Sequence, residues 1–172
     1  MSSFQPSVED TSMILSGAST YFEWRGWDPI VVGTLDPSTI RLDYPLQELI
    51  SWGSTEVPPS LAYQHMRSSH REEKLTDGIV KSVPAEEMDS LFDLNGPGWG
   101  WLHFKHRFGR QAIRLTFSPI TFTEDGEGAA ISYRAQSSGV DERSGVFYFR
   151  RDDHKGFAWG PHGHFSFPES GG

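Results

Sequence analysis

Between Gly98 and Trp159 aromatic and β-branched residues alternate with polar ones, and each run closes in glycine, proline or an acidic turn. Extended backbone puts every second side chain on one face, so this stretch predicts an antiparallel β-meander and sets what the rest of the chain must pack against. In the run Trp99–Phe108 an extended chain would set Leu102, Phe104 and Phe108 on a core face. Trp99, Trp101, His103, Lys105 and Arg107 would then lie on the other. Gln111–Thr123 places Ile113, Leu115 and Phe117 on one face, but beyond Pro119 the apolar positions become Ile120 and Phe122. That change of parity predicts a bend or bulge at Ser118–Pro119. Glu124-Asp125-Gly126-Glu127 is a turn, because Asp-Gly supplies the positive φ of a tight connection, and Ala129, Ile131 and Tyr133 return on one face. After a polar loop over Gln136–Ser144, Val146–Arg150 is apolar on both faces, as in a strand covered on both sides. Asp152–Gly156 then turns the chain into a last strand, Phe157-Ala158-Trp159.

Upstream, Met1–Asp10 reads as a polar arm, Thr11–Ser19 as a short helical turn, and Thr20–Trp27 as a strand with Phe22 and Trp24 inward. Ile30–Leu35 and Thr39–Tyr44 flank the turn Asp36-Pro37-Ser38 and predict a hairpin. Helices are expected over Pro45–Trp52, Pro58–Lys74 and Pro84–Leu94, each with proline at its start. The last carries Glu86 and Glu87 where the helix dipole favours negative charge. Gly78-Ile79-Val80 could form an edge strand, and the glycine-rich run at 96–100 is expected to open a strand. The predicted class is α+β: a hairpin, then helices, then a four- or five-stranded antiparallel meander curled into a cone- or barrel-like sheet. A single domain over 1–172 is expected, with 1–10 and 161–172 as flexible tails.

At 172 residues the chain can bury about two thirds of its unfolded surface without covalent staples. It has no cysteine, which removes disulfides, thiolate metal sites and cysteine nucleophiles and suits a reducing cytoplasm. No window approaches the ~18 apolar residues of a membrane span, and the N-terminus has no basic, apolar leader. A cytoplasmic protein without a membrane partner is therefore expected. Met1–Asn95 carries six Lys/Arg against fifteen Asp/Glu, a balance of −9. Gly96–Gly172 carries nine against eight, a balance of +1. An acidic chain repels phosphate backbones, so nucleic acid is not expected as a partner, although Lys105, Arg107, Arg110 and Arg114 could form a local anion site.

Neither a P-loop, a dinucleotide glycine fingerprint nor a G-x-S-x-G elbow is present, so no nucleotide cofactor is expected. Side-chain acid–base chemistry needs no fixed spacing, only a group whose pKa is tuned by its surroundings. The candidates are His103, Asp43 and Tyr148 as catalytic groups, with Trp101, Arg114 and Tyr133 as ligand-binding residues. Near the end of the chain, Gly156, His162, His164 and Glu169 are spaced as G-x5-H-x-H-x4-E, which resembles the first metal-binding motif of the cupin family. Histidines two apart on a strand point the same way and can share a metal. That resemblance covers 14 residues and lacks the family's second histidine-bearing strand, so no metal is expected, with His162, His164 and Glu169 as the ligands if there is one. Helices followed by a curled meander are also similar in outline to the cone-shaped fold of nuclear transport factor two and scytalone dehydratase, a likeness of architecture alone.

Two functions follow as expectations. One is a small-molecule pocket protein, of which an enzyme of dehydratase, isomerase or cyclase type is one form. The other is an acidic cytosolic interaction protein, of inhibitor or immunity type, binding a basic protein through its tryptophans.

Overall fold

From Ala112 onward the alternating stretch forms antiparallel strands as the sequence predicts, although one of them begins at Glu142, inside the loop expected over Gln136–Ser144. The computed structural model describes residues 4–36, 73–75, 78, 80–93, 96–152 and 158–166. Among them β4 (Ala112–Phe117), β5 (Thr121–Phe122), β6 (Gly128–Gln136), β7 (Glu142–Asp152) and β8 (Ala158–Ser166) pair antiparallel. The expected break falls at Ser118–Pro119, between β4 and β5. There the Ser118 hydroxyl accepts from the Ser132 N–H at 2.9 Å, replacing ladder bonds that the break removes. Gly126 adopts φ +75° in the turn before β6, and Asp125 Oδ1 accepts from the Glu127 N–H.

The sheet extends beyond the meander. β1 (Asp28–Leu35) lies parallel to β4 and to the short β3 (Ser82–Val83), and antiparallel to β2 (Glu73–Lys74). Among the described residues the class is α+β with an eight-stranded mixed sheet. Its main path, β2-β1-β4-β6-β7-β8, is open rather than closed. Its helices are α1 (Val8–Glu23), α2 (Ala85–Asp93) and α3 (Gly96–Phe108). The predicted hairpin partner Thr39–Tyr44, the helix over Pro45–Trp52 and most of that over Pro58–Lys74 lie outside the described residues. Glu73 and Lys74, placed at the end of that helix, are in β2 instead.

Three upstream and boundary expectations are corrected. Trp99–Phe108 is helical, not extended: Gly100, Trp101, Phe104, Lys105 and Phe108 recur at helical spacing and turn inward, while Leu102, assigned to the core, is 58% exposed. Pro97 is tolerated in a first helical turn, where its missing N–H would have no partner anyway. Gly100 lets α3 approach α2, since a Cβ there would come within 2.6 Å of the Phe92 ring. Thr20–Trp27 is not a strand either. Ile14, Leu15, Ala18 and Phe22 form one stripe of α1, and Trp24 is its exposed C-cap. The start of α1 is fixed by a capping box in which Ser7 and Asp10 satisfy each other's backbone N–H groups. Finally, β8 runs on to Ser166, past the end of the expected last strand.

Each sheet face has its own core. On one, Val31, Leu35, Ile113, Leu115, Phe117, Ala129, Ile131, Tyr133, Phe147 and Phe149 pack against the α1 stripe. On the other, Ile30, Val32, Val83 and Ala112 pack against Met88 of α2 and Phe104 of α3. Burial of a large apolar side chain stabilises by about 1.5–3 kcal/mol, so the α1 face carries most of the hydrophobic stabilisation. One contact ties the α1 face together at its edge. Asp10 Oδ1 accepts from Trp159 Nε1 at 3.0 Å and from Arg151 Nη2 at 3.1 Å, while Oδ2 accepts from the Ser7 N–H and hydroxyl. Burial raises the Asp10 pKa, but these donors outweigh it and hold the carboxyl below its ordinary value.

Candidate functional site

The cleft sits where the C-terminal end of α1 meets the ends of β4 and β6. Because Trp27 N–H donates back to Phe22 O at 3.1 Å, the chain doubles over after α1 and brings Tyr21, Phe22, Arg25 and Trp27 to one cleft. Ile113, Tyr133, Ala135 and Arg143, the last at the start of β7, line it from the sheet, and Ser137 and Asp141 from the β6–β7 loop. That loop is braced by Ser137, whose hydroxyl donates to Asp141 and whose N–H donates to Asp141 O. The cleft holds about 110 Å³.

Behind it lies a half-buried histidine. His164 Nε2 is 2.7 Å from the Tyr133 hydroxyl, so the two share one hydrogen bond. The imidazole stacks on Tyr133 and Phe147 and meets Tyr21 with ring centroids 4.5 Å apart. Burial, and secondarily the Arg25 charge, lowers its pKa to about 4, so it is neutral near pH 7. Its position depends on an irregularity in β8. Trp159 pairs with Arg151 and His164 with Phe147, two positions of the same face of β7, although Trp159 and His164 are an odd number of residues apart. Phe149 pairs with Pro161 and Tyr148 with Gly163, which leaves His162 as the extra residue of a bulge. The bulge turns His164 toward α1. It also breaks the plain two-residue alternation along β8 that the sequence spacing predicts. Glu169 lies outside the described residues, and among those described no three His, Asp or Glu side chains gather as a metal set.

Of the residues singled out from sequence, Tyr133 alone lines this cleft. Trp101 and Arg114 lie across the sheet: Trp101 meets Phe92 edge-on at 4.9 Å, and the Arg114 guanidinium sits 5.0 Å from the same ring. Burial lowers the Arg114 pKa, while Asp89, 3.8 Å away, opposes that shift. His103 is exposed on α3, and Tyr148 alternates with Phe147 and Phe149 and so faces away from α1. Asp43 lies outside the described residues. Thus the expected grouping of Trp101, His103 and Arg114 with Tyr133 does not form, because the first two are on a helix and Arg114 is on the far face of β4. Tyr21, Arg25 and His164 were missed as a group. The signal for them was the helical stripe that runs through Phe22 and the odd spacing from Trp159 to His164.

Apart from the cleft, no described helix is long and apolar enough to cross a membrane. Comparison of the chain with protein-family models, with curated proteins and with solved structures finds no match, so its chemistry is to be read from the cleft itself.

Proposed function

We propose that this chain is a small-molecule-binding protein whose ligand enters the cleft between α1, β4, β6 and the β6–β7 loop. The observation that supports it is a concave site in which aromatic walls from Tyr21, Phe22, Trp27 and Tyr133 meet a few converging polar groups, the usual composition of a ligand pocket. A sheet curled over α1 would produce such a cleft, and the expected cone-like form belongs to this proposal. The chemistry within reach is side-chain acid–base chemistry of dehydratase, isomerase or cyclase type, with the Tyr133 hydroxyl backed by a neutral His164 as the proton-carrying group.

A thermal-shift screen against a panel of small metabolites tests this. A ligand that binds only the folded state stabilises it by about 2.7 kcal/mol at a hundred times its Kd. The shift should vanish when Ala135, on the cleft floor, is enlarged to leucine. A panel that leaves the midpoint unmoved argues against a pocket role.

A second role, binding a protein partner, is supported by a different observation. Trp24 is 85% exposed and Trp99 66% exposed, and tryptophan is over-represented among residues that dominate interfaces. A complex lost on Trp24→Ala with no metabolite-dependent shift would favour it, and the −8 net charge points to a basic partner.

A further inference from the structure

The charge at the cleft differs in sign from that of the chain. Overall the protein is −8. Yet the charged side chains lining the cleft are Arg25, Arg143 and Asp141, two cations against one anion. The anion is shared: Asp141 accepts from Ser137, lies 4.0 Å from Arg143 Nε, whose charge it offsets in part, and is close enough to Lys105 to oppose the lowering of that amine's pKa by burial, so Arg25 is the cation in excess. Arg25 is placed differently. Its guanidinium lies 4.3 Å over the Tyr21 ring, an aromatic contact made by the face of the group, so that its N–H edge is not used by the ring. Deeper in, Ile113, Ala135 and Phe22 are apolar, and the one polar tip there, Tyr133, is bonded to an uncharged imidazole. The site therefore has a cationic mouth and an uncharged, aromatic interior. Its volume of about 110 Å³ is smaller than the ~150 Å³ cavity that accommodates a benzene ring, so the enclosed part of a ligand is at most one ring or a short branched chain.

We infer that the cleft takes a small monoanion with a flat apolar body, a single-ring or short branched carboxylate. Its body lies between Tyr21, Trp27 and Tyr133, and its carboxylate meets Arg25 and Arg143 at the mouth. This rests on the pocket role proposed above and adds the ligand's charge and size. Guanidinium groups suit this task because they present paired N–H donors to a planar carboxylate.

The test uses three probes of one ring and different charge, benzoate, benzyl alcohol and benzylammonium, with the full chain. Isothermal titration gives Kd, and amide chemical-shift mapping by NMR locates each probe. Benzoate is expected to bind at least about tenfold tighter than benzyl alcohol, with shifts at Ala135 and Ser137, and benzylammonium not to bind. Arg25→Gln, an exposed position whose change leaves the core intact, should weaken benzoate about tenfold and leave benzyl alcohol unchanged. If benzyl alcohol binds as tightly as benzoate with shifts at the same amides, the pocket stands and the anion selectivity is overturned. Benzoate shifts confined to other surface arginines, or an unaltered affinity in Arg25→Gln, also overturn it. Failure of all three probes at millimolar concentration overturns both the selectivity and the pocket for ligands of this size.

Discussion

The two faces of β4 use the same six residues to opposite ends. Toward α1 the strand presents Ile113, Leu115 and Phe117, all buried in the larger core. Toward α2 and α3 it presents Ala112, Arg114 and Thr116, a small residue, a cation and a hydroxyl. The α1 face is held by bulk apolar packing with one enclosed carboxylate and one enclosed imidazole at its margins. The α2–α3 face is held by a smaller apolar set around Met88 and Phe104, ringed by pairs such as Arg107–Glu87 and Arg114–Asp89. Because ion pairs with an exposed partner contribute at most about 1 kcal/mol, the difference teaches where stability resides: in the packing of α1 on the sheet.

The largest way to break this asymmetry is to empty each core in turn. Phe117→Ala should cost about 4 kcal/mol and strip hydrogen-exchange protection from β4, β6 and β7 together. Phe104→Ala, equally buried, should cost about 3 kcal/mol and raise exchange in α2 and α3 while the central strands stay protected. Equal loss of protection across the sheet in both variants would mean that the two cores open as one unit.

The margins of the α1 face come next. Asp10→Ala leaves Trp159 Nε1 and the Arg151 guanidinium without this acceptor at a buried edge, and should lower stability by about 2–3 kcal/mol in urea titrations. Asp10→Asn should lose roughly half as much, since the amide oxygen keeps an acceptor but not the charge. A loss below about 0.5 kcal/mol would make the contact ornamental to the fold.

A smaller effect comes from His164. Its folded pKa of about 4 lies below the unfolded 6.5, so the unfolded chain binds the extra proton between those values. Stability is full above pH 6.5 and is lost as pH falls through 4, by about 2 kcal/mol once partial exposure is allowed for. Asp10, whose pKa is lowered from 3.8, loses its contribution only below that range. Comparing urea midpoints of the native chain and His164→Gln at pH 7 and pH 4.5 isolates the histidine. An equal drop in both proteins would show that the ring titrates normally.

Much of the meander was legible because strand periodicity survives in single residues: the faces of Ile113–Phe117 and Ala129–Tyr133, the break at Pro119 and the turn at Gly126 all follow from it. α3 was not, because Trp101, His103 and Lys105 alternate with apolar neighbours as a strand would, and only the joint spacing of Gly100, Trp101, Phe104 and Phe108 betrays a helix. α1 was shortened for a related reason. Asp10 looked like a polar arm residue, and its role as a cap and buried acceptor depends on Arg151 and Trp159, which no local pattern connects to it. The parallel pairing of β1 with β4 is likewise nonlocal. Tyr133 could be placed on a face from sequence, but its partners Tyr21 and His164 come from a helix and from a strand with a bulge, so the cleft exists only in three dimensions.

The Asp10 clasp also carries a consequence for how the chain is made. Its two strand donors lie 141 and 149 residues downstream of the carboxylate they bind. At a synthesis rate of about 5–20 residues per second, α1 leaves the ribosome on the order of 10 s before the strand that secures it. For that interval its stripe of Ile14, Leu15, Ala18 and Phe22 has at most the earlier strands β1, β4 and β6 to cover it. The helix that anchors the finished protein thus waits, with its clasp open, for the last strands to arrive.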